Sequence, residues 1–271
     1  MGSTSLRRKL YSLSSRGSKP QLPSSGDGDS HRGDPEIATP TTWTRNDDGM
    51  GYILAMTSQS NCLTLYLITN QNHNVNDTKF LDIIEQAILG GVTAVQLRKK
   101  NLSFNEFVKL ARKCKEITAK YKIPLFINDD VDVAKEVNAE GLHVGQTDTN
   151  LRKARQILGR DYIIGISINN IDQLNHEQNK HADYLSISPI FPTETKLDIT
   201  KPIGLDGLSS IMKTKKKTTI AIGGITLQNV ESVMKQDVDG VAVSSAIFNS
   251  DSPKEQAEKF RKIINKSTLA K

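Results

Sequence analysis

Short apolar runs alternate with longer segments of helical period along the chain, beginning near Leu63. The runs occupy residues 63–69, 94–97, 124–127, 141–144, 163–166, 184–187, 219–222 and 240–243. Apolar strands that alternate with helices are typical of a parallel sheet covered by helices. Eight such units over residues 62–266 predict one (β/α)8 TIM barrel, an α/β fold that takes roughly 200 to 250 residues. A doubly wound nucleotide-binding sheet is the weaker alternative, because the polar segment 70–74 follows the first run where a glycine-rich turn is needed.

Two of the intervening segments carry clear helix signals. Residues 103–121 begin with Ser103 and Glu106, which have the spacing of a capping box. One face of this predicted helix is apolar and comprises Phe104, Phe107, Val108, Leu110, Ala111 and Cys114. The last predicted helix, 253–264, begins with a proline at a favoured first-turn position.

Residues 1–60 differ in composition from the rest of the chain. They are rich in Ser, Gly, Pro, Thr and Arg and lack a sustained apolar period, so we predict a disordered tail. Basic residues without any acid in the first 26 positions resemble an organelle targeting segment. An expression or fusion remnant, or sequence upstream of a start at Met50 or Met56, are the alternatives.

Charge and cysteine content narrow the class of protein. The net charge of +6 is modest, and the basic cluster Lys213, Lys215, Lys216 and Lys217 has no aromatic interleaving, so we expect a solvated helix end and no nucleic-acid partner. No apolar run approaches a membrane span. Two cysteines without metal-type spacing exclude a disulfide framework and favour a reducing compartment. We therefore expect a cytoplasmic protein that acts on small molecules, and a homo-oligomer stays open.

Polar clusters follow the apolar runs, and in a barrel the carboxyl ends of the strands build the active site. Asp129 follows the third run and Asp148 the fourth, so the two carboxylates should come close together. Mg²⁺ is held by one or two carboxylates with water and substrate phosphates. We predict a magnesium site formed by Asp129 and Asp148. A helix N-cap for Asp129 and a loop role for Asp148 are the structural alternatives.

Cationic side chains and small-residue loops complete this predicted face. Gln96, Arg98 and Lys100 alternate along and after the second run and can point the same way, whereas Lys99 should be a surface charge. Gly223-Gly224 and Ser244-Ser245 follow the seventh and eighth runs, where loops of such barrels frequently bind phosphate. His143 lies within the fourth run, and we expect it to fill the barrel interior with a satisfied hydrogen bond.

The ordered set of motifs resembles the thiamine phosphate synthase family from about Leu65 to Ile264. It comprises Gln96-Leu97-Arg98 with Lys100, Asn128-Asp129, Gly145-Gln146 with Asp148, Ser167, Pro189 to Lys196, Gly223-Gly224 and Ser244-Ser245. The resemblance implies a Mg²⁺-dependent transferase that joins hydroxymethylpyrimidine diphosphate to hydroxyethylthiazole phosphate, giving thiamine phosphate and pyrophosphate. It implies metal binding by Asp129 and Asp148, and charge stabilisation by Arg98, Lys100 and Lys196.

The resemblance also implies the substrate-binding positions. The pyrimidine diphosphate is assigned to the segment Gln96, Leu97, Arg98, Lys99 and Lys100 with Asn128, Ser167 and Lys196. The thiazole phosphate is assigned to Thr193, Glu194 and Thr195 with Gly224, Ser244 and Ser245. Three alternatives stay open: a thiazole tautomerase on the same barrel, a non-catalytic phosphate-ligand sensor, and a different phosphate-binding barrel enzyme.

Overall fold

Eight parallel strands close into a barrel within the residues that this computed structural model describes, namely 62–70, 78–193 and 201–269. Each strand pairs with the next in the chain, and the last pairs with the first. The strands are β1 Leu65–Ile68, β2 Ala94–Leu97, β3 Leu125–Asn128, β4 Gly141–Val144, β5 Ile163–Ile168, β6 Tyr184–Ile187, β7 Thr218–Ile222 and β8 Gly240–Val243. The predicted fold class is confirmed, while the predicted tail 1–60 lies outside the described residues.

Helices connect the strands on the outside of the barrel. They are α1 Thr78–Leu89, α2 Phe104–Lys120, α3 Val131–Glu136, α4 Leu151–Leu158, α5 Gly204–Met212, α6 Val230–Met234, α7 Ser245–Phe248 and α8 Pro253–Leu269. Two 3₁₀ turns, Ile171–Asn175 and Glu177–His181, connect β5 to β6. Within the described part of the chain, no helix combines the length and the apolar character needed to cross a membrane.

The predicted capping box and apolar face of α2 are largely confirmed. Ser103 is the N-cap, and its side chain accepts from the Glu106 N–H while the Glu106 carboxylate accepts from the Ser103 N–H. The expectation for Phe104 is wrong, because this first helical residue is 47% exposed. It opens the helix ahead of the stripe from Phe107 to Cys114 that packs against the barrel. Cys62 and Cys114 are both buried, and neither forms a disulfide.

The barrel interior is filled by a small cluster of large rings set against glycines. Tyr66, Phe126 and Tyr184 are almost completely buried there, with ring centroids between 5.1 and 6.3 Å apart. A Cβ at Gly165 would lie 2.0 Å from Cζ of Tyr184, and a Cβ at Gly141 would lie 2.3 Å from the Phe126 ring. The two strand glycines therefore make the space that the rings occupy.

One hydrogen-bonding arrangement repeats four times at the amino ends of the strands. The residue before each even-numbered strand uses its side chain to accept the N–H of a residue at the start of the preceding odd-numbered strand. Its own N–H donates back to the C=O of that same residue. These strand-start pairs are Thr93 with Leu65, Glu140 with Leu125, Asp183 with Ile164 and Asp239 with Thr219.

The three acidic members of the strand-start pairs also bind cations from the helices and loops outside the strands. Lys115 contacts Glu140, Arg155 contacts Asp183 at 2.6 Å, and Lys215 contacts Asp239 at 2.8 Å. Lys217 donates to the Ala182 carbonyl at 2.7 Å. The expectation that the four clustered lysines are solvated is therefore wrong for Lys215 and Lys217. These two stabilise the amino ends of the strands, because an acidic side chain and a backbone carbonyl lie within their reach there.

Candidate active site

Asp129 lies directly after β3 at the carboxyl end of the barrel. Its backbone has φ +66°, a left-handed conformation that Asp and Asn tolerate better than most residues. Its N–H donates to the carbonyl of His143 on the neighbouring strand at 2.8 Å. The N-cap of α3 is Asp130, whose carboxylate accepts from the Val133 N–H at 2.8 Å. The alternative interpretation of Asp129 as a helix cap is therefore wrong, because its neighbour fills that role.

Asp148 is brought to Asp129 by the loop after β4. Its Oδ2 accepts from the Gly145 N–H at 2.7 Å, which folds the carboxylate back over the strand end. The carboxyl groups of Asp129 and Asp148 lie within hydrogen-bonding contact. Burial, followed by the hydrogen bond to and the charge of Asp148, raises the pKa of Asp129 to about 6. The structure thus brings together the two residues predicted to bind the metal.

Arg98 and Lys100 lie close enough to Asp129 for their positive charges to oppose this rise in its pKa. Arg98 is half-buried and Lys100 is exposed. The backbone of Arg98 is fixed by Thr69 at the end of β1, because the Thr69 hydroxyl accepts from the Arg98 N–H at 2.9 Å. Two acids and two cations therefore converge at the carboxyl ends of β2, β3 and β4.

Two other residues of the predicted substrate-binding segment point away from this face. Lys99 is only 9% exposed, and its ammonium lies 5.2 Å from the centroid of the Phe80 ring on α1. The expectation of a surface charge at Lys99 is wrong, because the side chain packs inward against α1 and burial lowers its pKa. Leu97 belongs to the apolar layer between the strands and the helices, so only its backbone faces the strand ends.

The interior residues predicted to bind substrate are part of a buried polar network. Gln96 donates to the Tyr66 hydroxyl at 3.1 Å, and the Ser167 hydroxyl contacts Nε2 of His143 at 3.0 Å. The carbonyl of Ser167 accepts from the Gln146 side chain at 2.7 Å. Asn128, the last residue of β3, is 8% exposed. The hydrogen-bonded, interior position expected for His143 is confirmed.

Sequence reasoning missed Tyr66 and Tyr184, which join these polar groups inside the barrel. Their hydroxyls lie 3.3 Å apart, and that of Tyr184 also contacts Nδ1 of His143 at 2.9 Å. Both tyrosines occur in apolar runs, where an aromatic residue normally indicates strand packing. The signal that could have found them is the glycine in β5, Gly165, since a glycine inside a strand often marks close approach by another group.

The loops after β6 and β7 are hydrogen-bonded to each other. The N–H of Ile190 donates to the Ile222 carbonyl at 2.9 Å, and the N–H of Phe191 donates to the Gly223 carbonyl at 3.0 Å. Gly224 has φ +63°, and a Cβ there would lie 2.6 Å from the Pro192 carbonyl oxygen. Glycine is required at this position because both the backbone conformation and the close loop contact exclude a side chain.

The loop after β8 supplies Ser244 and Ser245, the first of them directly before α7. Ser245 is exposed, whereas the hydroxyl oxygen of Ser244 is buried and has no hydrogen-bond partner within the described ranges. An unsatisfied buried hydroxyl is uncommon, and this one lies in the loop that the sequence predicts to bind phosphate. Thr193 is half-buried at the end of the described β6 loop. The predicted ligands Glu194, Thr195 and Lys196 lie outside the described residues.

The donor set at Asp129 and Asp148 fits Mg²⁺. Two carboxylates in contact leave negative charge that a divalent cation neutralises, and carboxylate oxygens are the ligands Mg²⁺ uses. In the described part of the chain, no group of three or more His, Cys, Asp or Glu side chains is arranged to hold a metal. Such a two-carboxylate set suits a cation that takes its other ligands from water and substrate phosphate, and it does not suit structural zinc.

A closed (β/α)8 barrel with acids, cations and small-residue loops at the carboxyl ends of its strands has the architecture of a barrel enzyme. Residues 65–247 match the family model described as thiamine monophosphate synthase. The chain belongs to this family. It is an enzyme of the transferase class, as the sequence predicted.

Individual relatives agree with the family assignment. The chain is 45% identical over 202 residues to a thiamine-phosphate synthase of Clostridium botulinum (strain Kyoto / Type A2), covering 74% of this chain and 97% of that protein. It is 42% identical over 200 residues to one from Methanobrevibacter smithii, covering 74% and 94% of the two chains. A solved thiamine phosphate pyrophosphorylase from Pyrococcus furiosus superimposes with a TM-score of 0.70 at 33% identity, covering 77% and 98%.

Proposed function

We propose that this protein condenses hydroxymethylpyrimidine diphosphate with hydroxyethylthiazole phosphate, giving thiamine phosphate and pyrophosphate in a Mg²⁺-dependent reaction. The observation that carries the proposal is the convergence of Asp129, Asp148, Arg98 and Lys100 at one end of the barrel. Such a set suits a substrate that carries a diphosphate leaving group, because its negative charge must be stabilised as it departs.

In the proposed reaction the bond between the pyrimidine methylene carbon and the diphosphate oxygen breaks, and the oxygen keeps the electron pair. The aminopyrimidine ring stabilises the resulting cation. The thiazole nitrogen then uses its lone pair to form the new bond to the methylene carbon. Neither step needs a protein nucleophile or a strong base, so positioning and charge stabilisation are the work left for the protein.

The cationic side chains have the role of holding the leaving pyrophosphate. Arg98 offers a planar fork for two phosphate oxygens, and its backbone is fixed by Thr69. Lys100 is exposed beside Asp129 and supplies a mobile positive charge. Asp129 and Asp148 would hold Mg²⁺, which when bound supplies positive charge to the diphosphate. Lys196 is proposed for the same task from the sequence.

The thiazole phosphate is proposed to bind between the loops after β7 and β8. Gly224 gives a backbone without a side chain, and the buried Ser244 hydroxyl lacks a partner among the described residues. Both features suit a phosphate that accepts hydrogen bonds from backbone N–H groups and hydroxyls. The exposed hydroxyl of Ser245, the first residue of α7, is proposed as a further donor to this phosphate.

The test is an assay of the purified full chain with both substrates, following thiamine phosphate and pyrophosphate together. We expect the two products in equal amounts, with loss of both when EDTA removes divalent cations. Asp129→Ala should abolish the Mg²⁺-dependent turnover, whereas Asp132→Ala, an exposed acid three residues along, should leave it unchanged. Binding of the thiazole phosphate without product would contradict the proposal and favour the tautomerase or the sensor.

A further inference from the structure

A chain of hydrogen bonds crosses the barrel interior from β2 to β5. Nε2 of Gln96 lies 3.1 Å from the Tyr66 hydroxyl, which lies 3.3 Å from the Tyr184 hydroxyl. The Tyr184 hydroxyl lies 2.9 Å from Nδ1 of His143, and Nε2 of His143 lies 3.0 Å from Oγ of Ser167. All five side chains are buried. Three of them, Tyr66, Tyr184 and His143, have no role in the reaction proposed above.

The packing of the interior holds this chain in one arrangement. The Tyr184 ring stacks on the His143 ring with centroids 5.6 Å apart. Gly165 faces the Tyr184 ring so closely that a Cβ would lie 2.5 Å from its hydroxyl oxygen. Packed rings have few alternative rotamers, so the contact between the two rings and the close approach of Gly165 fix the distances along the chain.

The direction of donation follows from the first link. The Gln96 amide nitrogen is a donor and cannot accept, so the Tyr66 oxygen receives its hydrogen bond. Either hydroxyl can donate across the link between Tyr66 and Tyr184, but Tyr184 is the acceptor left for the Tyr66 proton among the described residues. Because buried hydroxyl protons are normally hydrogen-bonded, Tyr66 donates to Tyr184. Tyr184 in turn has one proton for Nδ1 of His143. Burial raises the pKa of both phenols, so both keep their protons.

A donor at Nδ1 decides the tautomer of His143. A neutral imidazole that accepts at Nδ1 carries its proton on Nε2, and this nitrogen faces Oγ of Ser167. Ser167 therefore receives a hydrogen bond from His143. Its own hydroxyl proton stays available for a ligand at the carboxyl end of β5.

We propose that Tyr66, Tyr184 and His143 are positioning residues that make Ser167 a hydrogen-bond donor to the pyrimidine diphosphate. The proposal rests on the proposed function and on the prediction from the sequence that Gln96 and Ser167 bind that substrate. The chain links these two residues across the barrel and sets the direction of the Ser167 hydroxyl. None of the three positioning residues needs to touch substrate.

The first test is the tautomer of His143, which does not depend on turnover. In protein labelled with ¹⁵N at histidine, with His143→Asn used to assign the signal, we expect a pyridine-like Nδ1 and a pyrrole-like Nε2. Tyr184→Phe removes the donor to Nδ1 and should move the Nδ1 resonance downfield, the change expected when a pyridine-like nitrogen loses its hydrogen bond. Tyr162→Phe, which removes a hydroxyl that contacts Asn138 outside the barrel, should leave this resonance unchanged. A wild-type signal with the proton on Nδ1 would overturn the proposal.

The second test is a double-mutant cycle on the reaction. Tyr184→Phe should lower kcat/KM for the pyrimidine diphosphate about three- to tenfold, the usual effect of one hydrogen bond, and leave KM for the thiazole phosphate unchanged. In a Ser167→Ala background the same substitution should have no further effect, because its target is absent. Equal losses in both backgrounds would show a merely structural role and overturn the proposal.

Failure of this inference and failure of the proposed function give different results. If the wild-type protein forms no thiamine phosphate, the proposed function fails, and the tautomer measurement alone then decides the positioning inference. If Tyr184→Phe does not fold, Ser167→Ala keeps the inference testable. It removes the partner at Nε2 and leaves the Tyr184 donor at Nδ1, so the proton should stay on Nε2, and a proton found on Nδ1 would count against the proposal.

Discussion

The contact between Asp129 and Asp148 predicts that the active site lowers the stability of the metal-free fold. Burial and the neighbouring charge raise the pKa of Asp129 to about 6, whereas an unfolded aspartate has a pKa of about 3.9. The folded protein therefore binds more protons than the unfolded chain between these values. Its free energy of unfolding should fall as the pH rises from about 4 to 6 and stay reduced above that.

The magnitude follows from the size of the shift. About two pKa units correspond to roughly 3 kcal/mol at about 1.4 kcal/mol per unit. Asp129 is only partly buried, so solvent screening reduces this to about 1–2 kcal/mol. Asp129→Asn removes the charge and keeps a residue that tolerates φ +66°. Its amide can donate to Asp148 as the protonated acid does, so the substitution isolates the electrostatic cost.

The assay is thermal unfolding in EDTA at pH 5 and pH 7.5. At pH 7.5 we expect Asp129→Asn to raise Tm by about 2–8 °C, with a smaller gain at pH 5, where the wild-type acid is largely protonated. Asp130→Asn is the matched control, since an asparagine can still cap α3; its effect should be small and similar at both values. Added Mg²⁺ should raise Tm of the wild type and narrow the difference. An equal gain at both pH values, or none, would refute the reasoning.

Three further substitutions separate binding from stability. Gly224→Ala should raise KM for the thiazole phosphate at least tenfold, because its Cβ would meet the Pro192 carbonyl. Gly204→Ala is the control, since Gly204 has φ +70° but open space around it, and it should leave this KM unchanged. Equal effects of the two substitutions would contradict the argument from the loop contact. Gly165→Ala should lower the free energy of unfolding by about 1–3 kcal/mol through overpacking against the Tyr184 ring. An unchanged Tm together with an unchanged urea midpoint would contradict this. Asp183→Ala should lower the free energy of unfolding by about 1–3 kcal/mol and leave both KM values unchanged. The Ile164 N–H loses its acceptor, and Arg155 loses its carboxylate partner but keeps its carbonyl partners. An altered KM at an unchanged Tm would contradict this.

Most of the strands could be predicted from the sequence, because the apolar runs of parallel strands are short, buried and regularly spaced. Four predicted strands, including Ala94–Leu97 and Gly240–Val243, have the bounds found in the structure. Asp129 and Asp148 could be paired in advance because adjacent parallel strands must end side by side. The ligand roles of the predicted site residues stay predictions.

The missed features share a physical cause. Whether Lys99 is a surface charge or a buried cation above the Phe80 ring depends on how α1 packs, which no local pattern encodes. The exposure of Phe104 depends on where its helix meets the barrel. Tyr66 and Tyr184 meet through the closure of the sheet, since 118 positions separate them in the chain. Local periodicity gives the elements, and tertiary contact decides what their side chains do.

The strand-start pairs imply that the barrel is assembled from four two-stranded modules. Each pair joins an odd strand to the even strand that follows it, as Thr93 does for β1 and β2, and none joins β2 to β3. New chain termini placed near Lys122, between α2 and β3, would leave all four pairs intact. New termini between β3 and β4 would remove the short chain segment that connects Leu125 to Glu140, and the hydrogen bonds of this pair would then have to form without it. Circular permutation should therefore be tolerated at every second connection of the barrel.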